Sequence, residues 1–259
     1  MVWAGLVIIN RKKDTRQTMK SQDSHYHSYN ISPESLLAEM ETLLKKLVQG
    51  DFPSPHEENF QALYNKFLSL YDFFQEEVLI LSGQKSVCSA GCSRCCRHWA
   101  EEVYSFEAAI AAEYIRENIP GEIDAILRIL HDSMAAYEKI SGLIDGKPVT
   151  DNDGNVSEDM DPLDLTLACF YQLGIPCPML DSTGSCRIYP VRPLACRIYI
   201  NVRDAVFCEP ERIHSGEEAT CIIDPGETVD KLLEHLHRRY DSSQGLSALR
   251  PLLARYLEK

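Results

Sequence analysis

The apolar positions of this chain recur mostly at helical spacing. Leu36, Leu37, Met40, Leu43, Leu44, Leu47 and Val48 repeat every three or four residues and predict a first helix. Ser32-Pro33 opens it, a capping hydroxyl followed by proline at the first helical position, and Gly50 closes it. Beyond Pro53-Ser54-Pro55, the stripe Phe60, Leu63, Tyr64, Phe67, Leu68, Tyr71, Phe74 and Val78 predicts a second helix to about Ser82. Ser105 is the expected cap of a third, which stops at Asn118 before Pro120-Gly121. Ile123, Ile126, Leu127, Leu130, Met134, Tyr137 and Ile140 predict a fourth, and Pro162 opens a short fifth that ends at Gly174. Val229, Leu232, Leu233, Leu236 and Tyr240, then Leu246, Leu249, Leu252, Leu253 and Leu257, mark a closing pair. Only Ile198-Tyr199-Ile200-Asn201-Val202 reads as a strand. The aromatic and leucine stripes are read as core.

This pattern divides the chain into a flexible N-terminal arm (1–31), an N-terminal helical pair (32–84), a central region (85–222) and a C-terminal helical pair (223–259). Residues 142–161 are polar and acidic and read as an exposed loop. The loop superficially suggests calcium. However, an EF-hand register set by Gly154 places Val149 and Met160 at the first and last ligand positions, so calcium is not expected.

Length and charge narrow the classes. At 259 residues and 44% apolar content, the chain fills a core without needing disulfides. A formal charge of −13 argues against a general phosphate-binding face, so no nucleic-acid partner is expected. The apolar run Met1–Ile9 is short of the roughly 20 residues of a membrane span, and its cations follow it instead of preceding it. The expectations are no membrane partner and a cytoplasmic location.

The candidate chemistry lies in ten cysteines, none before position 88. Cys88, Cys92, Cys95 and Cys96 sit at i, i+4, i+7 and i+8. Read as a helix, at roughly 100° per residue, this spacing crowds all four thiols into an arc of about 100°. Such a set suits a soft metal ion or an iron–sulfur cluster better than disulfides in a reducing cytoplasm. Cys169, Cys177, Cys186, Cys196, Cys208 and Cys221 follow. The turn signal Asp181-Ser182-Thr183-Gly184 brings Cys177 and Cys186 back towards each other, as in a knuckle. Pro193 stands near an expected helix N-terminus, whose free N–H groups favour thiolate at Cys196. Cys169 is read as an apolar helix residue. His98, and the pair His235 and His237, are read as non-ligands, and His25 and His27 as part of the arm. The expected fold is therefore mainly α: a helical domain with a loop-rich, cysteine-ligated metal-binding centre and little sheet.

Four segments carry a resemblance. Cys92-Ser93-Arg94-Cys95-Cys96 with a cysteine upstream, Pro176-Cys177-Pro178-Met179-Leu180, Gly184-Ser185-Cys186-Arg187-Ile188-Tyr189 and Val191-Arg192-Pro193-Leu194-Ala195-Cys196-Arg197 together resemble the YkgJ-type cysteine-cluster proteins. That family is named for a CxxCxxCC signature, and the resemblance implies a zinc- or iron-chelating domain. The match spans roughly residues 85–210. The resemblance implies eight ligands: Cys88, Cys92, Cys95, Cys96, Cys177, Cys186, Cys196 and Cys208. The first gap here is three residues where the family has two, and Cys221 rivals Cys208 for the last place. A related cysteine pattern occurs in flagellin lysine methylases.

Eight thiolates admit two metal readings. One is one or two 4Fe-4S clusters, favoured by adjacent Cys95-Cys96, which converge poorly on a single tetrahedral ion. The other is a pair of structural Cys₄ zinc sites. The first is the expectation carried forward, with a structural-zinc interaction module, a metal carrier or sensor, and a cluster-dependent modification enzyme as alternatives. Arg94, Arg187, Arg192 and Arg197 are the expected cofactor-binding cations, compensating thiolate charge, with Arg97, Asp181 and Tyr189 beside them. No catalytic residue stands out.

Overall fold

A computed structural model describes residues 32–89, 91–145, 161–209, 220–241 and 246–259. The arm (1–31) with its His25 and His27, and residues 146–160 of the acidic loop, lie outside this set. The described residues are mainly helical. Seven α-helices run Pro33–Gln49 (α1), Glu58–Leu81 (α2), Ser105–Asn118 (α3), Ile123–Ile144 (α4), Pro162–Gln172 (α5), Glu227–Tyr240 (α6) and Leu249–Leu257 (α7). Two three-residue strands, Tyr199–Asn201 (β1) and Thr220–Ile222 (β2), pair antiparallel with Ile200 opposite Cys221.

α1 forms where the stripe requires. The Ser32 hydroxyl accepts the Ser35 N–H at 3.3 Å, and Leu36, Met40, Leu43, Leu44 and Leu47 bury one face. That face packs on α2 and α6. α3 lies between α6 and α7, and α4 packs on α5 and α7. α3 is buried nearly all round because alanines 108, 109, 111 and 112 leave room for neighbours on several sides. Phe106 at its start meets Phe60 and Tyr64 edge-on, at ring distances of 5.9 and 5.0 Å. One continuous apolar core holds residues of α1 and α2, of the cysteine-rich stretch (Met179, Ile188, Leu194, Ile200) and of α6 and α7.

Several expectations are corrected in detail. Ser105 is the first residue of α3 and does not cap it; the cap is Tyr104. The Tyr104 N–H donates to the Glu107 carboxylate at 3.3 Å, and the Ser105 hydroxyl instead meets His237 Nδ1 at 3.0 Å. Helix α4 runs through Gly142 to Ile144, so the loop starts later than 142: a Cβ at Gly142 would meet only open space, and glycine's helix penalty of about 1 kcal/mol is tolerated there. Leu246 precedes α7 and is exposed. No helix among the described residues is long and apolar enough to cross a membrane.

Candidate metal centre

The cysteine run is not a helix, and the single thiol face expected of it does not form. Cys88 lies in an extended stretch held by the Val87 N–H on the Asn201 carbonyl at 2.9 Å. The chain then turns, with the Cys92 N–H on the Ser89 carbonyl at 3.0 Å and Gly91 at φ +83°. Only then does a short 3₁₀ turn, Arg94–Arg97, present Cys95 and Cys96. The glycine at positive φ is what a helix cannot contain and a turn requires.

The second segment folds back as its turn signal demands. Asp181 Oδ1 accepts the N–H groups of Thr183 and Ser185 at 2.8 and 2.9 Å. Leu180 and Cys186 then form an isolated bridge, and the Arg187 N–H reaches the Met179 carbonyl at 2.8 Å. This hairpin docks on the first segment. The Cys177 N–H donates to the Cys96 carbonyl at 2.8 Å. A Cβ at Gly184 (φ +82°) would stand 3.2 Å from the Gly91 carbonyl oxygen, so two glycine turns meet back to back.

The third segment carries Cys196 on a 3₁₀ turn, Leu194–Cys196, capped by Pro193. The expected helix N-terminus there is only this turn. Two buried groups fix it. Glu107, 2% exposed, accepts the Leu194 N–H at 2.7 Å and the Tyr64 hydroxyl at 2.6 Å. Burial raises the Glu107 pKa. Arg197, 5% exposed, pairs with Asp72 at 2.6 Å and donates to the Arg192 and Tyr189 carbonyls at 2.8 and 3.1 Å.

Several of the thiols act on partners in other segments. Burial raises the pKa of Cys177, Cys186, Cys196 and Cys208, and each is raised further by the charge of Cys95. Cys96 is raised chiefly by its hydrogen bond to Cys95, then by burial and by Cys177 and Cys196; Cys95, the partner in that bond, is lowered to about 6. Cys208 also feels Cys88 and Cys92. Cys177, Cys186 and Cys196 act on one another, Cys208 responds to Cys88 and Cys92, and Cys95 acts on all four of the raised thiols Cys177, Cys186, Cys196 and Cys208.

Cys221 lies elsewhere. It is opposite Ile200 on the strand pair, whereas the neighbouring Asn201 side chain reaches Cys208, so alternation puts Cys221 and Cys208 on opposite faces of the ribbon. Cys221 lines a 10 Å³ cavity with Val78, Leu79 and Gln84. Cys169 is half-buried on α5. His98 stacks on Tyr171 with ring centres 3.8 Å apart, and burial lowers its pKa to about 4, so it is neutral at pH 7.

The four predicted arginines are all placed beside these segments. Arg94 pairs with Glu209 at 2.6 Å and hydrogen-bonds Cys92. Arg192 lies over the Tyr189 ring at 4.8 Å, and its charge favours the thiolates of Cys95, Cys186 and Cys196. Arg187 pairs with Glu122 at 2.5 Å and the Pro178 carbonyl at 2.8 Å, so it clamps the hairpin. Arg197 spends its guanidinium on Asp72 and main-chain carbonyls, although its charge still favours the Cys186 thiolate.

Two residues escaped the sequence reading. Asn201 donates its main-chain N–H to Cys88 Sγ at 3.4 Å and its Nδ2 to Cys208 Sγ at 2.9 Å. Its only signal was an asparagine inside an otherwise apolar strand. Arg250, on α7, acts on the Cys177 and Cys96 thiols from outside the cysteine-rich stretch, and no sequence signal marks it.

The donor set is wholly sulfur, the ligand type that zinc and iron–sulfur clusters select. Among the described residues, no three His, Cys, Asp or Glu side chains are drawn together closely enough to hold a metal ion as they stand. The donors match such a group in chemistry, and their sulfurs are not gathered into a ligand set among the described residues. No protein-family model matches the chain, and neither a curated protein nor a solved structure matches it.

Proposed function

We propose that this chain is a metal-binding protein that holds one or two iron–sulfur clusters through the thiolates of Cys88, Cys92, Cys95, Cys96, Cys177, Cys186, Cys196 and Cys208. The observation that carries the reading is that one residue, Asn201, donates to the sulfurs of both Cys88 and Cys208, at 3.4 and 2.9 Å, although the two thiols stand 120 positions apart. Hydrogen-bond donors already aim at two of the sulfurs, as anionic sulfur requires. The resemblance to YkgJ-type cysteine-cluster proteins points the same way. Free thiols in this number belong to a reducing compartment such as the cytoplasm.

The eight cysteines named would hold the group, and their sulfurs would have to converge for them to do so. Each thiol that becomes a ligand gives up its proton, so metal uptake releases protons and strengthens as pH rises. A bound cluster supplies one-electron redox chemistry. The chain's own part is to supply the sulfurs, half-bury Cys177 and Cys196, and place Arg94 and Arg192 beside the negative charge.

Structural zinc is the second reading, favoured by the four-thiol subset Cys96, Cys177, Cys186 and Cys196, the composition of a closed Cys₄ site. Iron, zinc and acid-labile sulfide content of full-length protein purified without oxygen decides between them. Iron with sulfide and visible colour is expected; stoichiometric zinc without colour selects the structural site. Cys95→Ser and Cys96→Ser are each expected to lose bound metal and to melt at lower temperature. Unchanged metal content and melting in both would sink the metal centre.

A further inference from the structure

The second residue of α7 is a buried cation with no counter-ion among the described residues. Arg250 is 2% exposed. Its Nη2 donates to the Ile175 carbonyl at 3.0 Å, and its guanidinium lies 5.1 Å from the centre of the Phe170 ring and 5.9 Å from that of Trp99. Its Nη1 is buried and has no hydrogen-bond partner. Among the described residues, no carboxylate neutralises it. Its place in the helix is also wrong for a cation, because the first turn is the positive end of the helix dipole.

An unpaired buried charge is among the most expensive features a protein can keep. Contact with two aromatic faces and one carbonyl offsets part of the cost and leaves Nη1 unused. The site's location accounts for the rest. Ile175 is two residues from Cys177, Trp99 is three residues from Cys96, and the Cys177 N–H bonds the Cys96 carbonyl. α7 is pinned to the same spot by the Leu249 N–H on the Ala100 carbonyl at 2.8 Å and by the Val103–Ser247 bridge. The guanidinium thus stands at the seam between two cysteine segments.

We propose that Arg250 is the buried counter-charge of the Cys96 and Cys177 half of the metal centre, its free Nη1 donating to a thiolate sulfur once those cysteines are loaded. The inference rests on the metal-centre reading. Arg250 is a positioning residue: it touches ligand sulfur and not the metal. It is matched to a state in which Cys96 and Cys177 carry negative charge, and poorly matched to the metal-free state.

That asymmetry gives a test that a merely structural arginine fails. Full-length wild type, Arg250→Gln and Arg250→Lys are compared in two ways. Metal retention is titrated against a competing chelator, using the metal each protein carries as purified. Melting temperature is recorded for the loaded protein and for the chelator-stripped protein. Arg250→Gln is expected to hold metal about 10- to 100-fold more weakly, the usual cost of removing a ligand's hydrogen-bond partner. Stripped Arg250→Gln is expected to melt no lower than stripped wild type, because an uncompensated buried charge is gone. Arg250→Lys keeps the charge without the fork and should fall between the two in retention.

Equal loss of melting temperature in loaded and stripped Arg250→Gln, or failure of the stripped variant to fold, overturns the proposal. So does wild-type metal retention in Arg250→Gln. A wild-type protein that carries no metal overturns the metal-centre reading and this inference with it; a metal-bearing wild type with an indifferent Arg250→Gln overturns this inference alone.

Discussion

Glu107 does several jobs with one carboxylate. Its Oε1 accepts from Tyr64 on α2 and from the Leu194 N–H at the turn that carries Cys196, while Oε2 accepts the Tyr104 N–H at the start of α3. Glu107→Gln substitutes an amide with one acceptor oxygen for a group with two, leaving at least one of these buried donors unpaired. The expected cost is about 1–3 kcal/mol in denaturant unfolding, typical of an unsatisfied buried group. The cost should depend on pH with a definite sign. Burial raises the folded-state pKa above the ordinary value of 4.5, so the wild type is most stable where the acid is protonated and loses stability as pH rises through the folded pKa. Glutamine does not titrate. The difference between the two proteins should therefore shrink as pH rises from below 4.5; a difference that grows would show that the carboxylate is stabilised in its charged form.

At the scale of elements, the cysteine segments are held in place by turns. Gly91 and Gly184 both adopt positive φ, and their turns touch: a Cβ on Gly184 would lie 3.2 Å from the Gly91 carbonyl oxygen and 3.5 Å from Ser93 Oγ. Gly184→Ala should cost about 1–3 kcal/mol from backbone conformation alone. The close contact adds to this by pushing the Cys177–Cys186 hairpin off the first segment. Thermal melting measures the first effect and metal content the second. A variant as stable as wild type would mean that the hairpin can relax without loss. The turn at 181–184 was legible because Asp-Ser-Thr-Gly is a turn by its own chemistry. The run 88–96 has the cysteine spacing of one helix face, yet Gly91 and the pairing of Val87 with Asn201 make it a turn followed by a 3₁₀ segment.

Among the described residues, one large apolar core draws on α1, α2, α3, α4, α6 and α7, and a smaller cluster gathers Trp99, Phe170 and Ala248. Leu249, Leu252, Leu253 and Leu257 of α7 are buried among α3 and α4 neighbours. Full burial of such side chains is worth about 1.5–3 kcal/mol each, so the helix contributes as much as a typical domain's entire stability of about 5–15 kcal/mol. A chain ended after Asp241 is expected to show no cooperative thermal transition, and the intact chain to show a single one by calorimetry. A truncated protein that still melts cooperatively would show that the remaining helices and the cysteine segments stand without α7.

The sequence by itself determined what depends on neighbours along the chain. Helix positions followed from apolar periodicity, the α1 start from Ser32-Pro33, and the hairpin from its turn residues. Tertiary structure alone decided what depends on distant parts meeting. That Cys208 meets the Asn201 side chain while Cys221 lies on the other face of the ribbon came from strand alternation. The burial of Glu107 beneath Leu194, and of Arg250 beside Cys177, came from helices packed far from the cysteines in sequence. Local propensity acts over a few residues, whereas a buried charge is specified by its surroundings. An arginine at the start of α7 reads as surface until the packing of α7 removes it from water.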